Sequence, residues 1–583
     1  MSLSFSLDEF KIIYLVVTLG AWLVMGLFAP RYLSHHKPKG RFAIFSILTL
    51  VGTAGVFVSD DLFTLFLFFE VMSMASYVWV AEEESKGALK AADTYMAVAV
   101  IGGLVLLMGL FLLYNAIGTL KISELRPAVE TCGASQGRIY AAAMCMLFGF
   151  GAKAGAFPLH IWLPKAHPVA PAPASALLSG ILTKTGVYGI ILTGFCVVRT
   201  EFFGWLIIGI ALVTMVTGAV LALFSTDLKR TLACSSVSQI GFILTGVGVA
   251  TILKGNGSVA MSGSLLHMLN HSLIKLDLFL CAGVVYQNLH ELDLDKIRGY
   301  GRKKPFLFAM FLIGALGIGG VPGFNGYISK SLLHEAIGGC EAYSGVLTFI
   351  TEWTFVISGG FTVAYMLKLF ICLFIEKNSD LSLQAEYDLK KSYMSPAQKI
   401  AILVPTVIIP VIGILVGPVS LRITDYGISA FNLPNLTGEG MESELWTFHS
   451  ILGALESIAI GLVIYFFIIR RDEIKHGYRN LWPEKLDLEN LVYRPVLLVA
   501  LPKFFGWISG VLDKLVDLIG RTIHKYVLKD LPREHAAHEL TSEQRLKREN
   551  REIVLRSLSY GLLLACFGLF ILISYLLYLI FRM

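Results

Sequence analysis

Long apolar segments alternate with short polar ones along nearly the whole chain. About 20 apolar residues are enough for a helix to cross a bilayer. Continuous segments of this kind predict helices at about 10–29, 42–59, 61–81, 91–115, 172–195, 204–224, 232–252, 262–286, 353–376, 398–418, 447–470 and 559–581. This pattern is typical of an all-α, polytopic membrane protein.

Two further apolar segments are interrupted by proline and glycine. The first passes Lys153, breaks near Pro158 and continues to Lys165. The second covers about 305–320, breaks at GGVPGFNG and continues through Lys330. A broken helix at membrane depth is tolerated only where protein or a water-filled cavity surrounds it. Counting each broken helix as one crossing predicts about 14 spans.

Ionisable residues inside these apolar segments indicate an ion path. Lys153 and Lys184 lie within apolar runs, and Glu70 lies near the middle of the third predicted span. A charged side chain at the centre of a bilayer costs a few kcal/mol or more unless it faces protein or water. His267, His271 and Lys275 follow one another at four-residue spacing, so they share one face of their helix.

The composition narrows the class of protein. The 583 residues are 55% hydrophobic and 15% charged, whereas an ordinary soluble protein is about 25% charged. The net charge of +6 fits cytoplasmic loop anchors better than a nucleic-acid surface. The 8 cysteines form no CxxC pair, so neither an iron–sulfur cluster nor a zinc site is expected. The absence of a GxxxxGKS/T loop argues against an ATP-driven pump, and no cleavable signal peptide is expected.

The distribution of basic residues predicts the orientation. Most loop lysines and arginines fall on one side of the membrane, in the loops 30–41, 226–230, 296–304, 377–391 and 470–479. Such loops face the cytoplasm, so both termini are predicted to lie outside, in the inner membrane of a prokaryote. Lys229 and Arg230 are interpreted as anchors of one of these loops.

The two broken helices predict an internal repeat. Five crossings separate them, which places them in opposite orientations, and paired interrupted helices point to a transporter site near mid-membrane. The predicted parts are an N-terminal span with a basic loop (1–41), two inverted five-helix repeats (42–200 and 201–376), accessory spans (377–480), a lateral amphipathic region (481–558) and an anchoring helix (559–583).

The lateral region has a distinct pattern. Its segment PVLLVALPKFFGWISGVLDKLVDLIGRTIHKYVL alternates apolar and basic positions at helical spacing. We predict an amphipathic helix that lies along the membrane surface or against neighbouring spans. A short interfacial hairpin is the alternative.

Six segments together carry a resemblance to a known family: FFEVMSMASY, GAKAGAFPLHIWLPKAHPVAPAPASALLSG, ILTKTGVYG, TDLKRTLACSSVSQIGF, LLHMLNHSLIKLDLFL and GVPGFNGYISKSLLHEA. Over about 42–376 the chain resembles the antiporter-like membrane subunits of complex I, of multi-subunit cation/proton antiporters and of energy-converting hydrogenases. The surface helix followed by an anchoring span is similar to the distal subunit of complex I, although this chain has fewer spans before Glu70.

The resemblance implies a role for each buried group. Glu70 and Lys153 match the family's glutamate and broken-helix lysine, Lys184 its connecting lysine and Lys330 its distal lysine. The implied proton relay comprises Glu70, Lys153, Lys184, His267, His271, Lys275 and Lys330, with His334 and Glu335 near its exit. It would move H⁺, with Na⁺ coupling as an open alternative, and redox chemistry in other subunits would drive it.

The same resemblance implies the partners. This chain would hold no cofactor or metal, and iron–sulfur, flavin or nickel–iron centres would lie in a peripheral redox arm. Other membrane-arm subunits would flank the chain within the bilayer. Two other functions remain open: a subunit of a multi-subunit Na⁺/H⁺ antiporter without redox chemistry, and a membrane subunit that powers uptake of a small solute such as bicarbonate.

The buried residues also have structural interpretations. Glu70 could be a static partner of a lysine, and Lys153 and Lys330 could cap carbonyls freed by the helix breaks. The two histidines could join helices by hydrogen bonds, and Lys275 could extend towards the membrane surface. A zinc site is disfavoured because no acidic residue lies within the HxxxH motif.

Overall fold

The computed structural model describes residues 3–35, 39–133, 135–437, 441–480 and 495–526. Within these residues the chain is almost entirely helical, and β-structure is limited to isolated bridges such as Phe5 with Ser59. The chain divides into two compact units, Met1–Asp487 and Leu488–Met583. The predicted all-α membrane architecture is confirmed.

In the described residues, 12 helices are long and apolar enough to cross a membrane. They are Glu9–Tyr32, Gly40–Val58, Leu62–Ala81, Lys86–Ile117, Gln136–Val169, Ala172–Val198, Glu201–Phe224, Leu228–Asn256, Ser258–Leu289, Gly345–Ile375, Pro396–Ile414 and Ser450–His476. Each matches a predicted span. The second broken helix adds Pro305–Gly319 and Asn325–Gly338. The predicted helix at 559–581 lies outside the described residues.

Shorter helices connect the spans of the first unit. They are Leu125–Thr131, Leu294–Ile297, Leu381–Leu389, Arg422–Ser429 and Met441–Glu444. The core of the unit lies around three helices whose residues are almost all buried: Ala172–Val198, termed the bulged helix, Leu228–Leu253, and Ser258–Leu289, termed the histidine helix. Residues in this core are therefore shielded from lipid by the surrounding spans.

The first broken helix, Gln136–Val169, is interrupted by a short irregular segment. Its first part ends at Ala154, and Gly155 closes it at φ +76°, with its N–H bonded to the carbonyl of Gly151. The second part begins at Trp162, whose indole N–H donates to the carbonyl of Ala152 at 2.8 Å. These bonds satisfy polar backbone groups that a break would otherwise leave bare at membrane depth.

The second broken helix, 305–338, closes its break by close backbone contact. Gly320 ends the first part at φ +77°, and Gly323 turns the chain at φ +93°. The second part then begins so near the first that a side chain on Gly326 would overlap the carbonyl oxygen of Gly317. This position therefore requires glycine.

The bulged helix changes its winding on both sides of Lys184. Wide π turns at Leu178–Leu182 and Leu192–Val198 flank the regular segment Thr183–Ile191. Such turns are often found at functional sites because they leave backbone carbonyls available to other donors.

The second unit is described over residues 495–526 and contains the helix Leu501–Tyr526. Exposed apolar side chains recur along it at helical spacing, at Phe504, Trp507, Val511, Leu515 and Leu518. It is thus an amphipathic helix, as the sequence predicts. Its position along neighbouring proteins, the inverted-repeat relation and the domain boundaries stay predictions, and 527–558 lie outside the described residues.

The contact at the second break generates a stability prediction. We expect Gly326→Ala to lower the free energy of unfolding by about 3 kcal/mol or more, because the added methyl group meets backbone that cannot move aside. The matched control is Gly338→Ala in the same helical segment, where an added Cβ meets nothing within 4 Å. Thermal unfolding of the purified protein in detergent measures both. Equal midpoints for the two variants would contradict the account.

Candidate functional site

Lys153 lies at the end of the first part of its broken helix and is held by hydroxyl groups. Its side chain is buried, and its ammonium donates to the hydroxyl of Tyr95 at 2.6 Å and of Ser73 at 3.1 Å. The Tyr95 hydroxyl also lies 2.6 Å from that of Ser76. Lys153 therefore does not cap a carbonyl that the helix break leaves free, which was the structural alternative to a role in the relay.

Glu70 lies on the helix Leu62–Ala81, termed the glutamate helix. Its carboxylate packs against Gly103 of the helix Lys86–Ile117, where a side chain would overlap it. Among the described residues, its Oε1 atom is buried without a hydrogen-bond donor, and no ion pair within 4 Å joins it to Lys153. The two residues are close enough to interact electrostatically. The pair is thus close but not engaged in this state.

Lys184 is buried in the bulged helix and contacts a titratable partner. Its ammonium donates to the carbonyl of Ser179 at 2.8 Å, which lies in the first π turn, and lies 2.5 Å from Nδ1 of His271. The Nε2 atom of His271 is buried without a partner in the described part of the chain. A proton can therefore pass directly between these two side chains.

His267 lies one turn earlier on the histidine helix and contacts two other elements. Its Nε2 is 2.9 Å from the amide oxygen of Gln239, and its Nδ1 is 2.8 Å from the hydroxyl of Ser329. Since the amide oxygen only accepts, neutral His267 carries its proton on Nε2 and accepts at Nδ1. Ser329 precedes Lys330, so His267 joins the histidine helix to the second broken helix.

Lys275 stays inside the protein. Its side chain is fully buried, and its ammonium donates to the carbonyl of Leu232 at 2.8 Å and to the hydroxyl of Ser235. It does not extend to the membrane surface. Its partners belong to the neighbouring helix Leu228–Leu253, rather than to the other side chains of the predicted relay.

Lys330 caps the second break and lines a cavity. Its ammonium donates to the carbonyl of Ile318 at 2.8 Å. Lys330 thus makes the contact expected of a residue that caps a carbonyl freed by the helix break. The cavity, of about 40 Å³, is also lined by His334 and the exposed Glu335. This volume is enough for a water molecule. The predicted exit residues therefore lie beside Lys330, and His334 also contacts Glu352 at 3.4 Å.

The predicted site residues do not form one continuous chain of direct contacts. Lys184 and His271 meet directly, and His267 approaches Lys330 through Ser329. In the described chain, no hydrogen bond joins Lys153 to Lys184. Thr185, next to Lys184, contacts the sulfur of Met72, next to Ser73, at 3.8 Å. Water or side-chain movement must connect these groups in any relay.

Other buried cations were not identified from the sequence. Lys229 is fully buried and donates to the carbonyl of Ala170 at 3.0 Å, so its interpretation as a loop anchor is wrong. Lys368 donates to three carbonyls near the end of the helix Glu201–Phe224, and Lys304 donates to those of Tyr300 and Tyr387. The sequence does show a lysine near the end of an apolar segment in each case. It does not show whether that end of the helix is buried by other helices or exposed.

Two further buried groups lie close to these lysines. His167 is fully buried in the first broken helix and stacks on Phe279, 4.9 Å between ring centres. Asp277 is fully buried on the histidine helix and lies 2.8 Å from the hydroxyl of Thr406. The described residues contain no cluster of three or more histidine, cysteine or acidic side chains that could hold a metal ion.

Comparisons with known proteins identify the family. Residues 59–356, about half of the chain, match the model described as NADH:quinone oxidoreductase/Mrp antiporter, TM. The chain belongs to this family of membrane proteins.

Individual relatives extend the likeness. Hydrogenase-4 component B of Escherichia coli is 34% identical to this chain over 53% of the chain's length. The matched region covers only 47% of the length of that protein. A Na⁺/H⁺ antiporter subunit of Alkalihalophilus pseudofirmus is 30% identical over 72% of this chain and 82% of its own length. The Mrp complex of Dietzia sp. DQ12-45-1b has the same fold, with a TM-score of 0.72 at 21% identity over 93% of this chain and 58% of that one.

The contact of Glu70 with Gly103 allows a test of the role of the Glu70–Lys153 pair. We expect Gly103→Ala to displace the Glu70 carboxylate and to reduce ion transport while the protein still folds, because the methyl group occupies the carboxylate's space. Combining it with Glu70→Asp, which shortens the side chain by one methylene group, should restore part of the transport. Transport rates in sealed vesicles measure both.

The control for this pair of variants is Gly87→Ala on the same helix, where an added Cβ lies 4.0 Å from its nearest neighbour. It should leave transport unchanged. If Gly103→Ala also transports normally, the position of the Glu70 carboxylate is not critical.

Proposed function

We propose that this chain is the proton-translocating, antiporter-like subunit of a redox-driven membrane complex of the complex I or membrane-bound hydrogenase type. The observation that carries the proposal is the contact of Lys184 with His271, two titratable groups 2.5 Å apart in a fully buried core. Structural packing needs no such pair, since carbonyls satisfy lysines elsewhere in this chain. The relay comprises Glu70, Lys153, Lys184, His267, His271, Lys275 and Lys330.

The glutamate helix starts the relay. Glu70 and Lys153 attract each other across the low-dielectric interior, and hydroxyl groups hold the lysine at rest. When Glu70 moves away, Lys153 loses the charge that favours its protonated form and tends to release its proton. Tyr95 and Ser76 form a short hydroxyl pair along which that proton can leave.

The histidine helix continues the relay. Lys184 gives a proton to Nδ1 of His271, and the Nε2 proton of that ring is then free to leave. Histidine suits this step because its ring can accept a proton at one nitrogen and release another from the second nitrogen. His267 lies one turn away and connects to Ser329, and Lys330 opens to the cavity shared with His334 and Glu335. We place uptake at the cytoplasmic side near Lys184 and release near Lys330.

The partners and setting are part of the proposal. The hydrogenase-4 relative supports a complex driven by a peripheral redox arm, with this chain among other membrane-arm subunits. The basic loops support a prokaryotic inner membrane with both termini outside. The redox centres of the complex would belong to the partner subunits.

A subunit of a multi-subunit Na⁺/H⁺ antiporter is the second candidate. The match to the Alkalihalophilus antiporter protein over 82% of its length and the fold of the Mrp complex support it. Purification of the native complex distinguishes the two. Co-purified subunits with iron and flavin or nickel favour the redox-driven complex, whereas small membrane proteins without redox centres favour the antiporter.

The central residue of the relay has a direct test. We expect Lys184→Ala to reduce ion translocation by the whole complex at least about tenfold, the lower range for loss of a proton-transferring group. The measurement is ion flux in sealed vesicles, with assembly checked by purification. Lys399→Ala, at an exposed helix start, is the control and should translocate normally. Normal flux in assembled Lys184→Ala would show that Lys184 is structural.

A further inference from the structure

A large cavity lies at the membrane face opposite the basic loops. It has a volume of about 360 Å³. Asp8 at the start of the first span, Asp60 at the end of the second and the outer part of the bulged helix form its walls. Neither the relay nor the cavity beside Lys330 includes any of these residues.

The cavity runs from an exposed rim to a buried floor. Leu7, Ser123 and Arg126 at the rim are exposed, whereas Phe10 and Tyr188 at the floor are 1% and 2% exposed. This gradient describes a pit that narrows inward from the surface. Its floor lies on the same helix as Lys184.

The charges of the cavity leave one carboxylate without a cation. The buried Lys11 ammonium bonds to the hydroxyl of Ser6 at 2.6 Å and lies 3.4 Å from the carboxylate of Asp8. Arg126 bonds to Glu130 at 3.2 Å. The Asp60 carboxylate has neither a hydrogen bond nor an ion pair to the described residues. The Asp60 carboxylate can therefore accept a hydrogen bond from water or from a cation that enters the cavity.

Tyr188 forms the floor and is held firmly. Its ring stacks on Phe10 at 4.9 Å and packs near Phe57 at 5.9 Å. Its hydroxyl, although the residue is buried, makes no hydrogen bond within the described residues. A hydroxyl that borders the cavity and has no protein partner is available to water and to an incoming proton.

The spacing of Tyr188 and Lys184 connects the floor to the relay. Four residues of a helix rise about 6 Å, which is within the reach of a lysine side chain. In this structure the Lys184 ammonium faces His271 and Ser179, towards the opposite end of the helix. Rotation of its flexible stem would bring it towards Tyr188 instead.

We propose that this cavity, termed the outer vestibule, connects Lys184 to the outer face by a route separate from Lys330. The inference rests on the proposed function. In one state Lys184 contacts His271, and in the other it contacts Tyr188. There the lysine passes a proton to the phenol oxygen while the phenol proton passes to water in the vestibule, so the tyrosine stays neutral. Lys184 thereby alternates between two sides of the membrane.

A native cysteine makes access to the vestibule measurable. Cys196 lines the vestibule and is partly exposed, whereas Cys281 is fully buried elsewhere. The whole complex in sealed vesicles of known orientation is treated with a membrane-impermeant, positively charged methanethiosulfonate, and labelled peptides are identified by mass spectrometry. We expect labelling of Cys196 from the outer side only and none of Cys281. The proposal is overturned if Cys196 is labelled only from the cytoplasmic side. It is also overturned if Cys196 is not labelled at all while the cysteine of a Ser123→Cys variant at the rim is labelled.

The second measurement tests function. Treatment with the reagent should slow ion translocation by the wild-type complex, because Cys196 is labelled. The same treatment should not change the translocation rate of the Cys196→Ala complex. Tyr188→Phe should slow translocation at least about tenfold, as expected for loss of a proton-transferring hydroxyl. The control Tyr14→Phe removes a hydroxyl of the same aromatic cluster that donates to the carbonyl of Leu265 at 2.7 Å, and it should translocate normally.

The outcomes separate this inference from the function on which it rests. If Lys184→Ala stops translocation but Tyr188→Phe and labelled Cys196 translocate at wild-type rates, the relay stands and the outer vestibule is not its route. If Lys184→Ala translocates normally, the proposed function fails first, whatever the vestibule does.

Discussion

A lysine ammonium inside a membrane domain must be given hydrogen-bond acceptors, and the choice of acceptor organises this protein. Lys229, Lys304 and Lys368 donate to backbone carbonyls, which cannot exchange protons, and so stabilise helix ends. Lys153 contacts the Tyr95 hydroxyl, and Lys184 contacts the His271 ring in addition to the carbonyl of Ser179. Because these partners can accept or donate a proton, only the second kind of contact suits a relay.

The helix breaks lie beside two of the relay lysines, Lys153 and Lys330. Gly155 and Gly320 end their helices in the left-handed backbone conformation, at φ +76° and +77°. Lys330 combines both kinds of environment, because it caps the carbonyl of Ile318 and also lines a cavity beside His334. The hydrogen bond of Lys330 to the carbonyl stabilises the helix break, and the cavity gives its ammonium access to water.

Sequence alone predicted the spans well, because bilayer thickness dictates the length of each apolar run. It also identified Lys153, Lys184, Lys330 and both breaks, since buried charge and glycine are visible locally. It did not identify the partners. Lys153 bonds to Tyr95, 58 residues earlier, and nothing in the apolar run around Tyr95 marks its hydroxyl. Lys229 was assigned to a loop for the same reason: only packing against Ala170 shows that it is buried.

The most direct test compares one lysine of each kind in the same assay. Lys153→Met and Lys368→Met each remove one buried ammonium, and each assembled complex is assayed for ion translocation in sealed vesicles and for its thermal midpoint. We expect Lys153→Met to lose translocation at a near-normal midpoint, whereas Lys368→Met should lower the midpoint and keep translocation per assembled complex. Equal loss of translocation in both variants, or normal translocation in Lys153→Met, would contradict this expectation.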